Sequence, residues 1–229
     1  CRDTVSTALD LEPDRLSVFG YAHVPHMKRH QKLIRNDDLP GPELRIEQAL
    51  AIAHAVQSSG LIPIGIDHYA RPDDDMGRMI AASKIRRNFQ GYTTDQSEFL
   101  LGLGASAINR TPRGYAQNTP DVAAWTRAIK AGHLATARGI ALEPDDRVRG
   151  DIIEQLMCGL EVDLDKVASV FEGSVGMPDM DDLIQDGIVR RQGNRITLAK
   201  DSRMLARVVA ARFDSYLPAS KTARHSVSV

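Results

Sequence analysis

The chain has 229 residues, of which 29 are basic, 30 are acidic and 42% are hydrophobic. These values are ordinary for a globular protein, and a chain of this length buries enough apolar surface to fold without disulfides or metals. A formal net charge of -1 excludes a globally basic nucleic-acid binder. No apolar run reaches the ~18 residues of a membrane helix, and the N-terminus lacks the pattern of a signal peptide. We therefore expect a cytoplasmic protein with no membrane partner.

Cysteine is scarce in this sequence. The two cysteines, Cys1 and Cys158, are far apart in the chain. That spacing excludes a disulfide framework and any thiolate cluster site built from this chain alone. The sequence begins with Cys1 rather than Met, which predicts that upstream sequence has been removed by processing or truncation.

The first part of the chain alternates between strand and helix patterns. Apolar and β-branched runs predict strands at 15–22, 61–66 and 99–108, the first of them buried. Apolar residues at helical spacing predict helices at 42–59, with Gly60 as the stop, and at 76–85. This order indicates an α/β layer with parallel strands.

The composition changes after about residue 144. Helical spacing recurs at 145–160, 164–171 and 179–185, two β-prone arms flank a Gly-Asn turn within 188–198, and a last helix covers 202–216. We predict domains at 1–144 and 145–216, the second mainly helical and winged-helix-like. A small, polar tail at 217–229 is predicted to be mobile.

Several polar residues could carry chemistry. His23 follows the first predicted strand, and Asp67 and His68 follow the second, where they could orient a ligand or relay a proton. A buried Asp67 that caps the following loop explains that residue equally well. Asp73, Asp74 and Asp75, which follow Pro72, most simply cap the next helix, and a Mg²⁺ site is the alternative.

Two other patterns resemble binding motifs but lack the required context. His23, His26 and His30 have no carboxylate among them, and Pro25 prevents one regular helix from carrying them, which argues against a metal site. Gly102 and Gly104 match a loose dinucleotide pattern, yet a loop rather than a helix follows. The glycines therefore serve close approach, either to a neighbouring element or to a flat ligand.

Arginines mark the C-terminal hairpin. Arg190, Arg191 and Arg195 suggest DNA, but the helix before the hairpin carries four aspartates that would repel phosphates, so we expect no nucleic-acid partner. Solvated arginines on a small domain, or arginines that hold an anionic ligand, remain the two readings.

A series of ordered segments resembles one enzyme family. The segments are 15–23 (RLSVFGYAH), 65–74 (GIDHYARPDD), 87–94 (RNFQGYTT), 101–108 (LGLGASAI), 115–118 (YAQN), 138–142 (RGIAL) and 156–158 (LMC). In that order they resemble the oxygen-independent coproporphyrinogen III oxidases, which are radical S-adenosylmethionine (SAM) enzymes of haem biosynthesis. The resemblance spans nearly the whole chain but only the C-terminal half of the family.

The resemblance implies a fold, a reaction and cofactors. It implies the C-terminal part of a partial (β/α) barrel followed by a helical domain. In the family, a [4Fe-4S] cluster on a Cys-x3-Cys-x2-Cys loop reduces SAM, and the resulting radical abstracts hydrogen from two propionates of coproporphyrinogen III. Each propionate radical then loses CO2 and passes one electron to an acceptor, which leaves a vinyl group and gives protoporphyrinogen IX. Members of the family bind two SAM molecules. By resemblance, Ala22 and Ile108 match residues that contact SAM. His23, Asp67 and His68 are possible substrate or SAM contacts.

The chain also departs from that family. It has no Cys-x3-Cys-x2-Cys, so it provides no metal ligands and should be inactive alone. We expect exposed barrel edges that associate with the missing N-terminal half or with a second copy. Two alternatives stay open. One is a haem chaperone of the same superfamily, although residues 88–94 favour the oxidase, and the other is a porphyrin-binding module that uses Arg190, Arg191 and Arg195.

Overall fold

Helices and short strands alternate along the chain in a computed structural model that describes residues 1–26, 28–171 and 175–217. The helices are α1 (Arg2–Leu9), α2 (Pro42–Ser58), α3 (Asp75–Ala81), α4 (Val122–Lys130), α5 (Pro144–Gly159), α6 (Leu164–Phe171), α7 (Asp181–Gln185) and α8 (Ala206–Ala211). The strands are β1 (Arg15–Ser17), β2 (Ile62–Pro63), β3 (His68–Ala70), β4 (Arg86–Asn88), β5 (Gly91–Thr93), β6 (Ile108–Thr111), β7 (Gly114–Asn118), β8 (Thr136–Ala141), β9 (Glu161–Asp163), β10 (Val189–Gln192) and β11 (Arg195–Leu198). Apart from Leu217, the tail predicted to be mobile lies outside the described residues.

The first sheet has the order β1-β3-β2, and both of its pairings are antiparallel. The expectation of parallel strands is wrong for the described part of the chain, where every strand pair is antiparallel. The strand predicted at 61–66 ends after Pro63, and the chain turns back at Gly65 to begin β3. Asp67 and His68 therefore lie where β3 begins rather than where a parallel strand ends.

Two other strand predictions need correction. The strand predicted at 15–22 covers only Arg15–Ser17 and is not buried, because Phe19 and Tyr21 are left exposed beyond it. The run 99–108 is mostly irregular: Leu100 makes one isolated bridge, and Gly104 and Ser106 have positive φ angles. Such angles interrupt an extended strand.

A hairpin of β4 and β5 and a sheet of order β6-β7-β8 follow. Both are antiparallel, with Arg87 opposite Tyr92 in the hairpin and Arg110 opposite Tyr115 in the sheet. The sequence analysis did not predict these strands. Their alternation is masked by polar residues, since β4 and β6 have no fully buried side chain.

The helices agree with the sequence predictions more closely than the strands do. Helix α2 matches its prediction and ends before Gly60, whose φ of +93° suits a glycine stop. Asp74 caps α3, since its carboxylate accepts from the N–H of Met76 at 2.7 Å. Helix α3 ends at Ala81, earlier than expected, and Ser83 then adopts a φ of +54°.

The largest core lies in the C-terminal part of the chain. Its fully buried residues all fall between Val148 and Phe213, and partly buried side chains such as Ile66 pack against them. Hairpin β10–β11 was predicted, but β9 was not, and it extends the hairpin to an antiparallel sheet of order β10-β11-β9. The last helix begins as a 3₁₀ turn at Lys200–Leu205 and continues as α8. The boundary at 144/145 stays a prediction.

A smaller core joins the first part of the chain to α5. Its buried members include Ile64, Ile85, Tyr92 and Cys158. The hydroxyl of Tyr92 donates to the carbonyl of Met157 at 3.0 Å. The hairpin β4–β5 is thereby attached to the C-terminal end of α5. Among the described residues, no helix is long and apolar enough to cross a membrane.

Candidate functional site

Asp67 and His68 form a close pair at the start of β3. Nδ1 of His68 lies 2.6 Å from Oδ1 of Asp67, and the two side chains are only 15% and 16% exposed. The carbonyl of Asp67 accepts from the N–H of Val18 at 2.8 Å. The pair is therefore fixed against the segment that follows β1.

Aromatic rings surround His68 on two sides. Its ring meets the edge of Phe19, with centroids 5.9 Å apart, and that of Tyr92, with centroids 5.2 Å apart. A Cβ at Gly91 would lie 2.9 Å from Nε2 of His68, and Gly91 has a φ of +137°. Glycine at this position lets β5 approach the imidazole. The sequence prediction that Asp67 and His68 act on a ligand stays a prediction, and the structure places the His68 ring against Phe19.

Ala22 and His23 lie in an irregular segment beyond β1, not at the end of a strand. The buried side chain of Gln31 holds this segment, since its amide donates to the carbonyl of Ala22 at 3.0 Å and accepts from the N–H of Val24 at 2.6 Å. Gln31 could not be selected from the sequence, because a glutamine in a polar stretch has no distinctive pattern. The imidazole of His23 lies 3.3 Å from the hydroxyl of Tyr21.

The segment that holds Ala22 has an open backbone edge. Among the described residues, the N–H groups of Phe19, Gly20 and Tyr21 have no hydrogen-bond acceptor. Phe19 is 69% exposed and Tyr21 is 48% exposed. A ligand or another strand could therefore add to this edge through backbone hydrogen bonds.

Ile108 begins β6 rather than ending a strand. It lies opposite Gln117 in the pairing of β6 with β7. Gly102 approaches this strand closely, because a Cβ there would lie 2.9 Å from both the Cβ of Ala107 and the carbonyl oxygen of Ile108. Of the two uses expected for the paired glycines, close approach within the chain therefore explains Gly102. The structure places Ile108 in a different sheet from Asp67 and His68.

A cleft of about 1420 Å³ lies between α5 and the β6-β7-β8 sheet, with residues of β4 along one side. Small-molecule pockets usually enclose ~300–1,000 Å³, so this cleft has room for a large ligand. Its aromatic side includes Phe89 and Tyr115, whose rings pack edge to face with centroids 5.2 Å apart. Both charged and apolar side chains line it, which suits an amphipathic ligand.

Two adjacent arginines of β4 have different environments beside this cleft. The guanidinium of Arg86 donates to both carboxylate oxygens of Glu154, at 2.9 and 3.2 Å. This bond is the main reason that the pKa of Arg86 is raised. The guanidinium carbon of Arg87 instead lies 5.5 Å from the ring centre of Tyr92. Nε of Arg87 is buried and has no hydrogen-bond partner among the described residues.

The described residues provide no site for an iron–sulfur cluster. They contain no group of three or more His, Cys, Asp or Glu side chains that could hold a metal ion. Burial raises the pKa of the Cys158 thiol to about 12, which keeps it protonated, whereas Cys1 is exposed. His23, His26 and His30 do not converge on a metal site. The cysteines of this chain thus do not fit the ligand set of a cluster.

The arginines of the C-terminal hairpin face water. Arg190 and Arg191 are exposed on β10, and Nε of Arg191 donates to the carbonyl of Gly193 at 3.0 Å. Nη2 of Arg195 lies 3.5 Å from the carboxylate of Asp163. These arginines are thus on an open surface rather than in the cleft beside α5.

Curated relatives of this chain carry the name oxygen-independent coproporphyrinogen III oxidase. No family model matches the chain. The chain is 48% identical, over 96% of its length, to an oxygen-independent coproporphyrinogen III oxidase of Bradyrhizobium diazoefficiens, of which it covers 50%. It is 36% identical, over 97% of its length, to the oxidase of the same name from Pseudomonas aeruginosa, again covering 50%. The chain thus spans about half the length of the curated relatives it matches.

A solved structure extends the similarity to the fold. The chain superposes on a coproporphyrinogen III oxidase from Escherichia coli, described as a radical SAM enzyme, with a TM-score of 0.85 and 33% identity. The match covers 94% of this chain and 51% of that enzyme. The mixed α/β fold expected from the sequence is confirmed as the fold of about half of a radical SAM enzyme, with the antiparallel pairings described above.

Proposed function

We propose that this chain, which is homologous to about half of the oxygen-independent coproporphyrinogen III oxidases, is the C-terminal half of such an oxidase. The observation that carries the proposal is the shared fold over 94% of the chain. The proposed reaction converts two propionates of coproporphyrinogen III to vinyl groups and yields protoporphyrinogen IX. The cytoplasmic location expected from the sequence stays a prediction.

In this proposal, the chain supplies part of the SAM-binding surface. SAM bound beside a [4Fe-4S] cluster supplies a radical that can abstract hydrogen from an unactivated C–H bond. The open backbone edge at Phe19–Ala22 supports a contact with one SAM molecule, since it offers unpaired N–H groups. Ile108 is the proposed contact for the other. His23 and the Asp67–His68 pair remain proposed ligand contacts, and His68 supports the edge through Phe19.

The cluster ligands must come from outside this chain under this proposal. Cys158 is buried and protonated, and Cys1 is a single exposed thiol. The exposed rings of Phe19 and Tyr21 support a contact with the N-terminal half. We therefore expect the isolated chain to neither assemble the cluster nor decarboxylate coproporphyrinogen.

A chimeric enzyme tests the proposal in cells. This chain replaces the matching half of the Bradyrhizobium diazoefficiens relative, and the chimera is expressed in a strain that lacks its own oxygen-independent oxidase. We expect anaerobic growth without added haem, and no growth when the isolated chain is expressed. A chimera that accumulates and binds SAM but does not restore growth would contradict the proposed reaction. Porphyrin or haem binding without turnover would instead indicate a chaperone or a binding module.

The proposed SAM contacts have their own control. Ala22→Asp places a carboxylate and extra volume at the open edge, so we expect SAM binding by the chimera, measured by equilibrium dialysis, to weaken at least tenfold. Ala128→Asp, on α4, is the control and should leave SAM binding unchanged. Equal binding by both variants would remove Ala22 from the site.

A further inference from the structure

We propose that the cleft between α5 and the β6-β7-β8 sheet binds the carboxylates of a tetrapyrrole, with Arg87 as their main anchor. The identity of the ligand rests on the proposed function; the position of the anchor rests on the geometry of this chain. The cleft has a volume of about 1420 Å³ and is lined by Arg87, Phe89, Arg110, Tyr115 and Ile140 among others. It therefore offers cationic and aromatic surfaces together.

Arg87 is held in place without an ion pair to a carboxylate of the described residues. Its backbone N–H donates to a carboxylate oxygen of Glu154 at 3.1 Å. Its guanidinium lies over the ring of Tyr92, at a distance where cation–π attraction fixes its orientation. The buried Nε has no acceptor among the described residues. A partly desolvated cation without an ion-pair partner is stabilised strongly by an anion, and a carboxylate matches the planar guanidinium.

The acidic side chains of the cleft do not take this role. Four of them accept hydrogen bonds from neighbours in the chain: Glu154 from Arg86, Asp146 from the hydroxyl of Tyr216, Asp151 from Gln155, and Asp214 from the backbone N–H of Tyr216. Two others, Glu98 and Glu161, are exposed to water. Arg149 of α5 pairs with Asp145, and Arg147 is exposed to water. Among the basic residues of the cleft, Arg87 on β4 is thus the shielded cation, and Arg110 on β6 is a second candidate contact for ligand carboxylates.

The opposite side of the cleft suits a flat ring. Tyr115 packs against Phe89 and lies opposite Ile140 of β8, so aromatic and aliphatic surfaces are contiguous. Residues two apart in a strand share one face of the sheet. Ile108, the proposed SAM contact, and Arg110 are therefore on the same face of β6. A ring bound beside Tyr115 would lie on the side of the sheet that carries Ile108.

Binding of coproporphyrin III, the stable oxidised form of the tetrapyrrole, tests the assignment. The ligand is titrated against the 229-residue chain and followed by its fluorescence, with circular dichroism and thermal melting to verify that each variant is folded. We expect Arg87→Gln to raise the dissociation constant at least tenfold, Arg110→Gln to raise it by a smaller factor, and Arg87→Lys to retain part of the affinity. Arg127→Gln, on the exposed face of α4, is the matched control.

The rival site is the C-terminal hairpin. The double variant Arg190→Gln, Arg191→Gln removes charge from that open surface and should leave the dissociation constant unchanged. The proposal would be overturned if this double variant bound coproporphyrin more weakly while Arg87→Gln kept the original dissociation constant. It would also be overturned if the folded chain did not bind coproporphyrin. Because Arg110 is not buried, its variant keeps the test valid even where Arg87→Gln lowers stability.

Failure of this proposal is distinct from failure of the proposed function. In the chimeric enzyme, Arg87→Gln should raise KM for coproporphyrinogen more than it lowers kcat. A chimera that decarboxylates its substrate with an unchanged KM in this variant contradicts the site but not the function. Coproporphyrin binding that depends on Arg87, in a chimera that forms no vinyl product, contradicts the function but not the site.

Discussion

The ring of Tyr92 fills the space in which a side chain at Gly65 would lie. A Cβ at Gly65 would come 1.9 Å from Cζ and 2.3 Å from the hydroxyl oxygen of Tyr92. The same hydroxyl donates to the carbonyl of Met157 and accepts from the N–H of Ile66. Three segments that are far apart in the sequence therefore meet at one side chain.

This contact predicts that Gly65→Ala destabilises the chain. The added methyl group must displace a buried aromatic ring and its hydrogen bonds, so the free energy of unfolding should fall by ~3 kcal/mol. Gly150→Ala is the matched control, because nothing lies within 4 Å of a Cβ at this position in α5. It should raise the free energy of unfolding by ~0.5–1 kcal/mol. Urea unfolding measures both, and equal effects would refute the contact.

Removal of the Tyr92 hydroxyl isolates its hydrogen bonds. Tyr92→Phe keeps the ring but leaves the buried carbonyl of Met157 without this donor, so we expect a loss of ~1–2 kcal/mol in the free energy of unfolding. Tyr21→Phe is the control, since Tyr21 is 48% exposed, and it should change stability by less than ~0.5 kcal/mol. If the two losses are equal, the Tyr92 hydroxyl does not link the β4–β5 hairpin to α5.

Glu154 should contribute more to the stability of the fold than an exposed member of an ion pair does. It accepts from Arg86 and from the backbone of Arg87, and its side chain is 19% exposed. We expect Glu154→Gln to lower the free energy of unfolding by ~2 kcal/mol, because it weakens charge-assisted hydrogen bonds that are partly shielded from water. Asp37→Asn disrupts an exposed pair with Arg35 and should cost less than ~0.5 kcal/mol. Thermal melts of the two variants provide the comparison.

The buried thiol of Cys158 predicts a pH dependence of stability. Burial raises the pKa of this thiol to about 12 from an ordinary value near 9.0. Well below pH 9 the thiol is protonated in both the folded and the unfolded chain, so it does not change stability. Above it, the unfolded chain loses the proton first, so stability falls as the pH rises. Between pH 8 and pH 10 the loss should be ~1 kcal/mol, and it should vanish in Cys158→Ala; an unchanged slope in that variant would assign the effect to other groups.

Part of the fold could be predicted from the sequence because its signals are local. The spacing in α2, the cap at Asp74, and the hairpin around Gly193 each depend on residues within one element. Strand pairing is not local. A run such as 61–66 looks like a complete strand, and only the fold shows that Pro63 ends it and that β3 returns in the opposite direction.

The site was harder to predict for the same reason. Asp67 and His68 could be selected from their residue types, but Gln31 and Tyr92 act through contacts with segments distant in the sequence. Arg87 differs from its neighbour Arg86 only in what surrounds it: one guanidinium lies over an aromatic ring, and the other pairs with Glu154. No sequence pattern distinguishes these environments.

The most direct measurement for the proposed function is anaerobic turnover by the purified chimera of this chain and the N-terminal half of the Bradyrhizobium diazoefficiens relative. After cluster reconstitution, with SAM and a reductant present, product masses and released CO2 are recorded. We expect loss of two CO2 per coproporphyrinogen III and formation of protoporphyrinogen IX by the chimera, and no product from the isolated chain. A folded chimera that carries the cluster and cleaves SAM but leaves coproporphyrinogen intact would contradict the proposed function.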